Sequence, residues 1–442
     1  MESLDVYLNE RKVGRLDDDN GSLSFAYDAV YLASDVREPI SHAIPLRVEP
    51  YAHREVEPVL SNLLPDDVIR TRLGEILQIP RENTFAFLRA IGGDCAGAVA
   101  FFPSGTSPVT ASGGEFRKLS DAEADAILDN LEKRPLDVGE EGFRISGAGA
   151  QDKLIACVRN GQVLLPLNGT PSTHIIKTEI RNYPDSVENE WFSMTLASAC
   201  GLSVAASEIV EIGGKRRFVS TRYDRMALDG RVVRLHQEDF CQMLGIDPGR
   251  KYEALGGPGI VTSFRLLREL PVSAADTLEF IDRIIFNFLV GNGDAHGKNF
   301  SVLYQDGVAS LAPMYDVMCT TIYPDVGRRM AMKIDGEYAF KWITSGKFAR
   351  LAAKIGVSEK MMLREISKMS RRVRHEVDVV ANRCNRIWAS GVYANIAAGI
   401  VSRLNQINGD TPRESVVNQP FVLFEGRNAK DRADTGTEGK RK

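Results

Sequence analysis

An apolar segment with the length of a helix runs directly into a loop that is dense in polar side chains. Residues 280–290 read FIDRIIFNFLV, and residues 291–300 read GNGDAHGKNF. Three glycines leave the loop backbone free to adopt unusual dihedral angles: Gly291, Gly293 and Gly297. A core helix that ends in such a loop predicts a polar site, whose candidate side chains are Asp294, His296, Lys298 and Asn299.

The length of the chain and the distribution of its cysteines narrow the class of protein. A chain of 442 residues exceeds what one hydrophobic core usually supports, so we expect two or more domains. No apolar run reaches the ~18 residues needed to cross a bilayer, and the N-terminal residues lack the apolar core of a signal peptide. The six cysteines are scattered without a CxxC motif, which argues against a disulfide framework or a zinc finger. We therefore expect a cytoplasmic protein with no membrane partner.

The charge of the chain is close to balanced. The 55 basic and 59 acidic residues give a net charge of −4 at pH 7 and a pI near 6.0. A chain with this overall field is not an obvious nucleic-acid binder. Contact with DNA would need a local basic patch or a partner protein.

The first part of the chain is predicted to be rich in strands. Apolar and polar side chains alternate in short stretches, as in residues 4–8. Residues 65–77, PDDVIRTRLGEIL, predict a helix, because a proline and two aspartates suit a helix N-terminus. A second helix starts at Ser120, where Glu123 completes a capping box. We place a boundary after it, so that residues 1–138 form an N-terminal α/β domain.

The second part of the chain is predicted to start with strands and to continue with helices. A strand pair turns at Asn160-Gly161, and a later short hairpin turns at Asp306-Gly307. The fold class is therefore α+β, with a second domain that has strands at about 139–234 and helices at about 235–412. Residues 413–442 are polar without apolar periodicity and predict a disordered tail.

The order of the polar motifs matches the needs of phosphoryl transfer from ATP. Such a transfer needs a backbone-rich loop around the phosphates, a lysine on a strand, a carboxylate that accepts a proton, and oxygen ligands for Mg²⁺. Residues 146–153, SGAGAQDK, have small side chains between two strands, which lets phosphate oxygens approach the backbone N–H groups. The segment fits neither the GxGxxG nor the P-loop fingerprint, and a plain hairpin is the alternative.

Three oxygen-bearing side chains follow in the order expected of a kinase. Asp294 and Asn299 have the spacing of the catalytic aspartate and the asparagine in the kinase loop H-R-D-x-x-x-x-N. Asp316 follows the second hairpin, where the metal-binding aspartate of D-F-G would stand. Mg²⁺ prefers such oxygen ligands, so we expect Asn299 and Asp316 to bind it. Lys298 is expected to screen a γ-phosphate, with a surface position as the alternative.

Lys177 is the candidate for the lysine that neutralises the phosphates. It ends the predicted strand THIIK, where a lysine is most often exposed. The helix that follows carries Glu188 and Glu190, and an ion pair with Lys177 is sterically allowed for either. We assign the positioning role to Glu190, and a solvated helix face is the alternative for both.

One segment competes with the enzyme interpretation. Residues 351–368, LAAKIGVSEKMMLREISK, have the pattern of a helix-turn-helix, and several basic residues lie between positions 354 and 374. The alternative is two packed helices with a solvated basic face. Because the chain is acidic overall, we favour the packed helices.

Taken in order, these motifs resemble the HipA family of serine/threonine-protein kinase toxins from type II toxin–antitoxin pairs. The resemblance spans residues 1 to about 410 and implies a sheet-rich N-terminal domain on the side that contacts a HipB-like antitoxin. It also implies a protein-kinase-like two-lobed domain at 139–412, with an N-lobe and an all-helical C-lobe. The segments that carry it are DVYLNERKVGRL, LSNLLPDD, RISGAGAQDK, STHIIK, VENEWF, RYDR, HQEDFCQ, KYEALGGPGI, GDAHGKNFSV and YDV.

The resemblance also implies a reaction and partners. Members of the family use ATP and Mg²⁺ to phosphorylate a protein serine or threonine, in the best-known members on an aminoacyl-tRNA synthetase. The modification lowers translation and promotes growth arrest and persistence. The antitoxin dimer binds operator DNA, and the toxin is carried on that complex.

Individual roles follow from the matching motifs. Asp294 becomes the general base, and Asn299 and Asp316 become the Mg²⁺ ligands. Ser146 matches the autophosphorylated serine, whose modification ejects the loop and inactivates the kinase, since a dianion there would repel the ATP phosphates. The implied ATP-binding residues are Ala148, Gly149, Ala150, Gln151, Asp152, Lys153, Lys177, Thr221, Arg222, Tyr223, His296, Gly297, Lys298, Asn299, Tyr315 and Asp316.

Three positions depart from the family pattern. Thr221 stands where the family usually has Glu, Tyr223 where it has Phe, and Gly147 where a larger apolar residue follows the serine. Backbone hydrogen bonds to adenine are compatible with the first two changes. Two other functions stay open from the residues alone: a small-molecule kinase, and a non-enzymatic co-repressor that acts on DNA with an antitoxin.

Overall fold

The structure is a computed structural model that describes residues 2–108, 114–137, 142, 144–149, 151–326 and 328–409. The predicted disordered tail and Ala150 of the predicted phosphate loop lie outside these ranges. Antiparallel sheets fill the first half of the chain and helices dominate the second, which confirms the predicted α+β fold. None of the helices in the described ranges is both long and apolar enough to cross a membrane.

The N-terminal region is a five-stranded antiparallel sheet covered by helices. Its strand order is β4–β3–β2–β1–β5. The alternating residues Leu4, Val6 and Leu8 are buried in the main core, and Tyr7 is buried on the opposite face against Phe102. Both faces of this strand are therefore covered. The elements are β1 Glu2–Leu8, β2 Arg11–Asp19, β3 Ser22–Tyr27, α1 Ala29–Leu32, β4 Tyr51–Ala52, α2 His53–Ser61, α3 Asp67–Leu77, α4 Thr84–Ile91 and β5 Val99–Pro103.

A second sheet of six antiparallel strands forms the N-lobe. Its order is β10–β11–β9–β7–β8–β6, and the Asn160-Gly161 turn joins β7 to β8 as expected. Helix α6 packs against β10 and β11. The elements are β6 Glu115–Lys118, α5 Asp121–Asp129, β7 Lys153–Arg159, β8 Gln162–Leu167, β9 His174–Lys177, α6 Ser186–Ala199, β10 Ser207–Ile212, β11 Lys215–Thr221, β12 Arg225–Leu228 and β13 Arg231–Arg234.

The two sheets share one hydrophobic core. Side chains of the N-terminal sheet, such as Phe25 and Phe101, belong to the same buried cluster as Leu154 and Ile176 of the N-lobe. Strand β6 precedes the predicted boundary at residue 138 and pairs with β8. The boundary stays a prediction. Among the described residues, buried side chains from both sides of it belong to one hydrophobic cluster.

The C-lobe is mainly helical but not entirely so. The expected hairpin at Asp306-Gly307 is present as β15 and β16, and β14 adds a third strand to it. A further hairpin, β17–β18, was not predicted. The elements are β14 His236–Asp239, α7 Phe240–Met243, α8 Ile260–Glu269, α9 Ala274–Val290, β15 Ser301–Gln305, β16 Val308–Leu311, β17 Arg329–Ile334, β18 Glu337–Ala339, α10 Ser345–Ile355, α11 Glu359–Ile387 and α12 Val392–Asn408.

Helix α9 leads directly into the polar loop, and the end of the helix that carries the loop is buried. Its last eleven residues, 280–290, are all buried, and it packs against α8, α11 and α12. The helix ends at Gly291 with φ +80°, and a Cβ at this position would lie 2.4 Å from Thr321 Oγ1. Glycine is therefore required by both conformation and space. The following residues start from a fixed point in the core.

The segment with helix-turn-helix character forms two packed helices of the C-lobe. Helix α10 ends at Gly356, which has φ +71°, and α11 continues for 29 residues. Several of its basic side chains pair within the chain, as Lys354 does with Asp335 at 2.7 Å and Lys368 with Glu365 at 3.0 Å. The long helix and these pairs favour the packing interpretation over a DNA-reading one.

Candidate active site

Most of the predicted site residues line one cavity of about 770 Å³. They come from the predicted phosphate loop up to the start of β7, from β9, from α6, from the end of β11 with the two residues after it, from the loop after α9 and from the segment after β16. The sequence thus placed side chains from six separate segments in one site. The predicted residues in the lining are Ala148, Gly149, Gln151, Asp152, Lys153, Lys177, Glu190, Thr221, Arg222, Tyr223, Asp294, His296, Lys298, Asn299, Tyr315 and Asp316.

Two predicted residues in the described ranges do not line the cavity. Gly297 lies under the loop, where a Cβ would meet Pro258 at 2.3 Å, and its N–H donates to the carbonyl of Lys251 at 3.2 Å. Ser146 is fully buried. Gly297 therefore shapes the loop through its backbone, and Ser146 is enclosed in this conformation.

Lys177 lies between two carboxylates at the cavity wall. Its ammonium donates to Glu190 Oε1 at 2.7 Å and to Asp316 Oδ1 at 2.6 Å. Burial acts to raise the pKa of Asp316, but the ammonium groups of Lys177 and Lys153 outweigh it and hold that pKa well below its usual value. Burial raises the pKa of Glu190 to about 7, although Lys177 acts to lower it. Both contacts keep Lys177 charged.

The two glutamates of α6 have different partners. Glu188 accepts a hydrogen bond from Arg216 Nη1 at 2.6 Å, away from the cavity. Glu190 alone of the pair contacts Lys177. Residues two apart in a helix lie about 200° around its axis. The helix therefore presents the carboxylate of Glu190 to the cavity and that of Glu188 to Arg216.

The predicted phosphate loop is held in a conformation that requires glycine. Gly149 has φ +107°, and a Cβ there would lie 2.7 Å from Lys153 Nζ. Lys153 donates to the carbonyl of Ala148 at 2.5 Å, and burial followed by the charge of Lys177 lowers its pKa to about 8. Asp152 pairs with Arg72 at 2.8 Å. The loop thus places a buried amine and open backbone beside the cavity.

Asp294 is oriented by groups from two sides. Its Oδ1 accepts a hydrogen bond from the hydroxyl of Tyr252 at 2.5 Å, and its backbone N–H donates to Asn292 Oδ1 at 3.0 Å. His296 Nε2 lies 4.0 Å from Asp294 Oδ2. Burial, and then the charge of Lys251, hold the pKa of His296 well below its usual range, so the ring is neutral at pH 7. The hydroxyl of Tyr252 and the side chain of Asn292 thus fix the orientation of Asp294.

Asn299 and Asp316 fit the donor set that Mg²⁺ prefers. The amide nitrogen of Asn299 donates to the carbonyl of Asp294 at 3.2 Å, which leaves its amide oxygen to accept or ligate. The side chain of Asp316 is 40 % exposed toward the cavity. Among the described residues no group of three His, Cys, Asp or Glu side chains forms a metal site. Two oxygen ligands suit an ion that completes its shell with phosphate oxygens and water.

The segment at residues 221–223 is mostly engaged with the protein itself. The backbone N–H of Thr221 donates to Ala206, and that of Arg222 donates to Thr173. The ring of Tyr223 stacks on Tyr315 at 5.6 Å between centroids. Two of the three amides are therefore not available to an adenine base, which would contact carbonyl groups, side chains or the third amide.

The guanidinium of Arg222 belongs to a buried ionic network. It pairs with Asp224 at 2.8 Å and with Asp94 at 3.4 Å, and Asp94 also pairs with Arg225 and Arg234. Asp94 is fully buried, and these cations outweigh its burial and hold its pKa well below the usual value. Arg222 thus joins the N-terminal region to the N-lobe.

The ammonium of Lys298 is directed at the N-terminal region. It donates to the carbonyl and the side-chain oxygen of Asn62 at 3.0 and 2.9 Å, and to Asp239 at 3.0 Å. The sequence had placed this cation next to a γ-phosphate. In the structure this ammonium donates its hydrogen bonds to Asn62 and Asp239 instead.

Sequence reasoning missed several residues of the site. Asp66 and Lys251 line the cavity and pair with each other at 2.8 Å, and Tyr252 holds Asp294. The segments LSNLLPDD and KYEALGGPGI contain these residues, but in the sequence they indicate only a helix start and the family resemblance. Contacts between such distant segments leave no signal in spacing.

Comparison with known proteins gives consistent matches along the chain. The family model described as HipA N-terminal domain matches residues 4–102, and the one described as HipA-like C-terminal domain matches residues 145–377. The chain is 40 % identical over 372 residues to the putative kinase Y4mE of Sinorhizobium fredii, which covers 83 % of this chain and 89 % of that protein. The range 145–377 contains every predicted site residue.

The matches also include a protein that is named as a kinase toxin and a solved structure of a toxin–antitoxin complex. The chain is 32 % identical over 394 residues to the serine/threonine-protein kinase toxin HipA of Shewanella oneidensis, covering 84 % of this chain and 87 % of that protein. A structure of the toxin–antitoxin system of that organism, with HipA, HipB and operator DNA, has a TM-score of 0.77 at 28 % identity. It covers 92 % of this chain and 97 % of that chain.

Proposed function

Because the chain belongs to the HipA family, we propose that it is a serine/threonine-protein kinase toxin of a type II toxin–antitoxin pair. It transfers the γ-phosphate of ATP to a hydroxyl of a protein substrate. The observation that carries the proposal is the Lys177 ammonium between Glu190 and Asp316, in the same cavity as Asp294 and Asn299. A strand lysine that pairs with a helix glutamate and lies beside the metal-binding aspartate is the arrangement that kinases use for ATP.

Each residue of the site has a separate role in the transfer. Lys177 neutralises charge on the ATP phosphates, and the open backbone of Gly149 lets phosphate oxygens approach. Asp294 accepts the proton of the acceptor hydroxyl while that oxygen forms its bond to the γ-phosphorus, and the bond from the γ-phosphorus to the β,γ-bridging oxygen breaks with ADP as the leaving group. Tyr252 keeps the Asp294 carboxylate in one orientation. Mg²⁺, held by Asn299 and Asp316, would supply neutralisation of charge on the phosphate oxygens.

Autophosphorylation of Ser146 is part of the proposal. The hydroxyl is enclosed in this conformation, so it can meet a phosphate donor only after the loop has left its position. A phosphate dianion would not fit back into an enclosed site, because burial of an unpaired charge is costly. Modification therefore keeps the loop out and the kinase inactive.

The partners follow from the family and stay proposals for this chain. We expect a HipB-like antitoxin dimer to carry the protein on operator DNA, as in the similar Shewanella complex. We expect the substrate to be an aminoacyl-tRNA synthetase, whose modification would inhibit translation and promote growth arrest. Phosphoproteomics after brief induction in antitoxin-free cells would identify it.

The direct test uses labelled ATP and the Asp294→Ala variant. The wild-type chain should label a protein band in a cell lysate, and the variant should lose this activity while it binds ATP almost as well. Full activity of the variant would refute the assignment of the base.

The same assay separates the two other functions. A small-molecule kinase would consume ATP in the lysate without labelling a protein band. A DNA-binding co-repressor would shift operator DNA as the purified chain alone, with a steep dependence on salt. The internally paired side chains of α11 argue against that second result.

A further inference from the structure

Asp66 caps a helix with its backbone but not with its side chain. It is the N-cap residue of α3, a position where an aspartate usually accepts hydrogen bonds from the first turn. No such bond is present here. The carboxylate turns away from the helix and accepts a hydrogen bond from Lys251 Nζ in the C-lobe at 2.8 Å, and both side chains are only 7 % exposed. Burial acts to raise the pKa of Asp66, but Lys251 and Lys298 lower it to about 2, so the carboxylate is charged at pH 7.

The backbone of the same residue contacts the predicted phosphate loop. The N–H of Asp66 donates to the carbonyl of Gly149 at 3.1 Å, and Pro65 forms a parallel bridge with Gly149. One residue of the N-terminal region therefore touches the phosphate loop through its backbone and the C-lobe through its side chain.

Lys251, the partner of Asp66, contacts the catalytic loop through its backbone. The carbonyl of Lys251 accepts from the N–H of Gly297 at 3.2 Å, and the next residue, Tyr252, donates to Asp294 at 2.5 Å. The pair with Asp66 thus anchors a residue whose carbonyl makes one of these contacts and whose chain neighbour makes the other. Small displacements of a reacting group can cost about 100-fold in rate.

We propose that Asp66 is a positioning residue for phosphotransfer, acting through Lys251 on Asp294 and the catalytic loop, so that the N-terminal region completes the active site. The inference rests on the proposed kinase function. It assigns no contact with the nucleotide to Asp66. The signature is therefore a fall in kcat with little change in the KM for ATP.

The test compares full-length variants with a matched control. Asp66→Asn keeps the backbone bond to Gly149 and removes the charge that holds Lys251, and we expect kcat to fall about 10- to 100-fold with the KM for ATP unchanged within about twofold. Lys251→Met should lower kcat at least as much, and the double variant should be no worse than Lys251→Met alone, because Asp66 acts only through Lys251. Glu238→Gln is the control, since Glu238 also joins the N-terminal region to the C-lobe, through the N–H of His42 at 2.9 Å, but does not line the cavity. It should leave both constants unchanged.

A second measurement does not depend on activity. Hydrogen exchange at the Gly297 amide should be faster in Asp66→Asn than in the wild type, because the acceptor of that amide is the Lys251 carbonyl. Unchanged exchange, additive losses in the double variant, or a raised KM with unchanged kcat would each overturn the inference. If the wild-type chain transferred no phosphate at all, the proposed function would fail, and the exchange at Gly297 would still decide whether Asp66 holds this segment.

Discussion

Replacement of Glu190 by glutamine should make the enzyme demand more Mg²⁺. In the structure the Lys177 ammonium is shared between Glu190 and Asp316 at nearly equal distances, 2.7 and 2.6 Å. Glu190→Gln removes the charge on one side, so the ammonium is drawn to Asp316 alone. Asp316 is the proposed Mg²⁺ ligand, and the ion would then compete with a lysine that has lost its other partner.

The size of the effect can be worked from the contact that is lost. A hydrogen bond between charged groups contributes about 1.5–3 kcal/mol. At about 1.4 kcal/mol per tenfold change, this corresponds to roughly 10- to 150-fold. The Asp316 side chain is 40 % exposed, so water screens its part of the arrangement and the lower end applies. We expect the Mg²⁺ concentration for half-maximal rate to rise about tenfold.

Glu188→Gln is the matched control for this prediction. It lies two positions earlier on the same helix, its side chain is 6 % exposed, and it loses an ion pair with Arg216 of similar length. Loss of one partner from a buried pair costs up to about 3–5 kcal/mol of stability, so both variants should melt at lower temperature. Only Glu190→Gln should change the dependence on Mg²⁺.

The assay is phosphotransfer from labelled ATP over a range of MgCl₂ concentrations at pH 8. Burial raises the pKa of Glu190 to about 7, so the carboxylate is charged at this pH. The wild-type enzyme should itself need more Mg²⁺ as the pH falls through 7, because protonated Glu190 resembles glutamine. Equal shifts in the two glutamine variants, or no shift in a folded Glu190→Gln protein, would refute the reasoning.

Two further predictions concern the catalytic carboxylate and acid stability. Tyr252→Phe removes the 2.5 Å hydrogen bond to Asp294 and should lower kcat about tenfold with an unchanged KM for ATP, measured by steady-state kinetics; an unchanged kcat would contradict it. Burial lowers the pKa of His236 to about 4, so this residue contributes stability that is present above pH 6.5 and is lost as the pH falls toward 4. Between pH 7 and pH 4 the wild type should lose up to about 3 kcal/mol more unfolding free energy than His236→Phe, measured by urea denaturation, and parallel losses in the two proteins would count against it.

Features formed by residues close together in the chain, such as helix caps and turns, could be predicted from the sequence. Ser120 and Glu123 form the expected capping box of α5, since both partners lie within one turn. Asn160 and Gly161 both take positive φ in the turn between β7 and β8, as the dipeptide predicted. The interval from Asp294 to Asn299 likewise described a single loop.

Contacts across the chain could not be read in this way. Asp66 was correctly taken as the start of a helix, but its carboxylate pairs with Lys251, which is 185 positions away. The sequence allowed an ion pair of Lys177 with either Glu188 or Glu190, because spacing does not show which face of α6 meets the cavity. Strand β14 was missed because its four residues, 236–239, are polar yet buried, so they show no alternation.

The position of β6 has a practical consequence for dissecting this protein. The family model for the C-terminal domain begins at residue 145, so a fragment cut there would lack the strand that covers β8. Residues 164–167 of β8 would then offer unpaired backbone groups beside the apolar side chains of Val163 and Leu165. Such a bare edge is a template for pairing with another chain, and the fragment should aggregate on expression. A truncation made ahead of Glu115 keeps this edge closed.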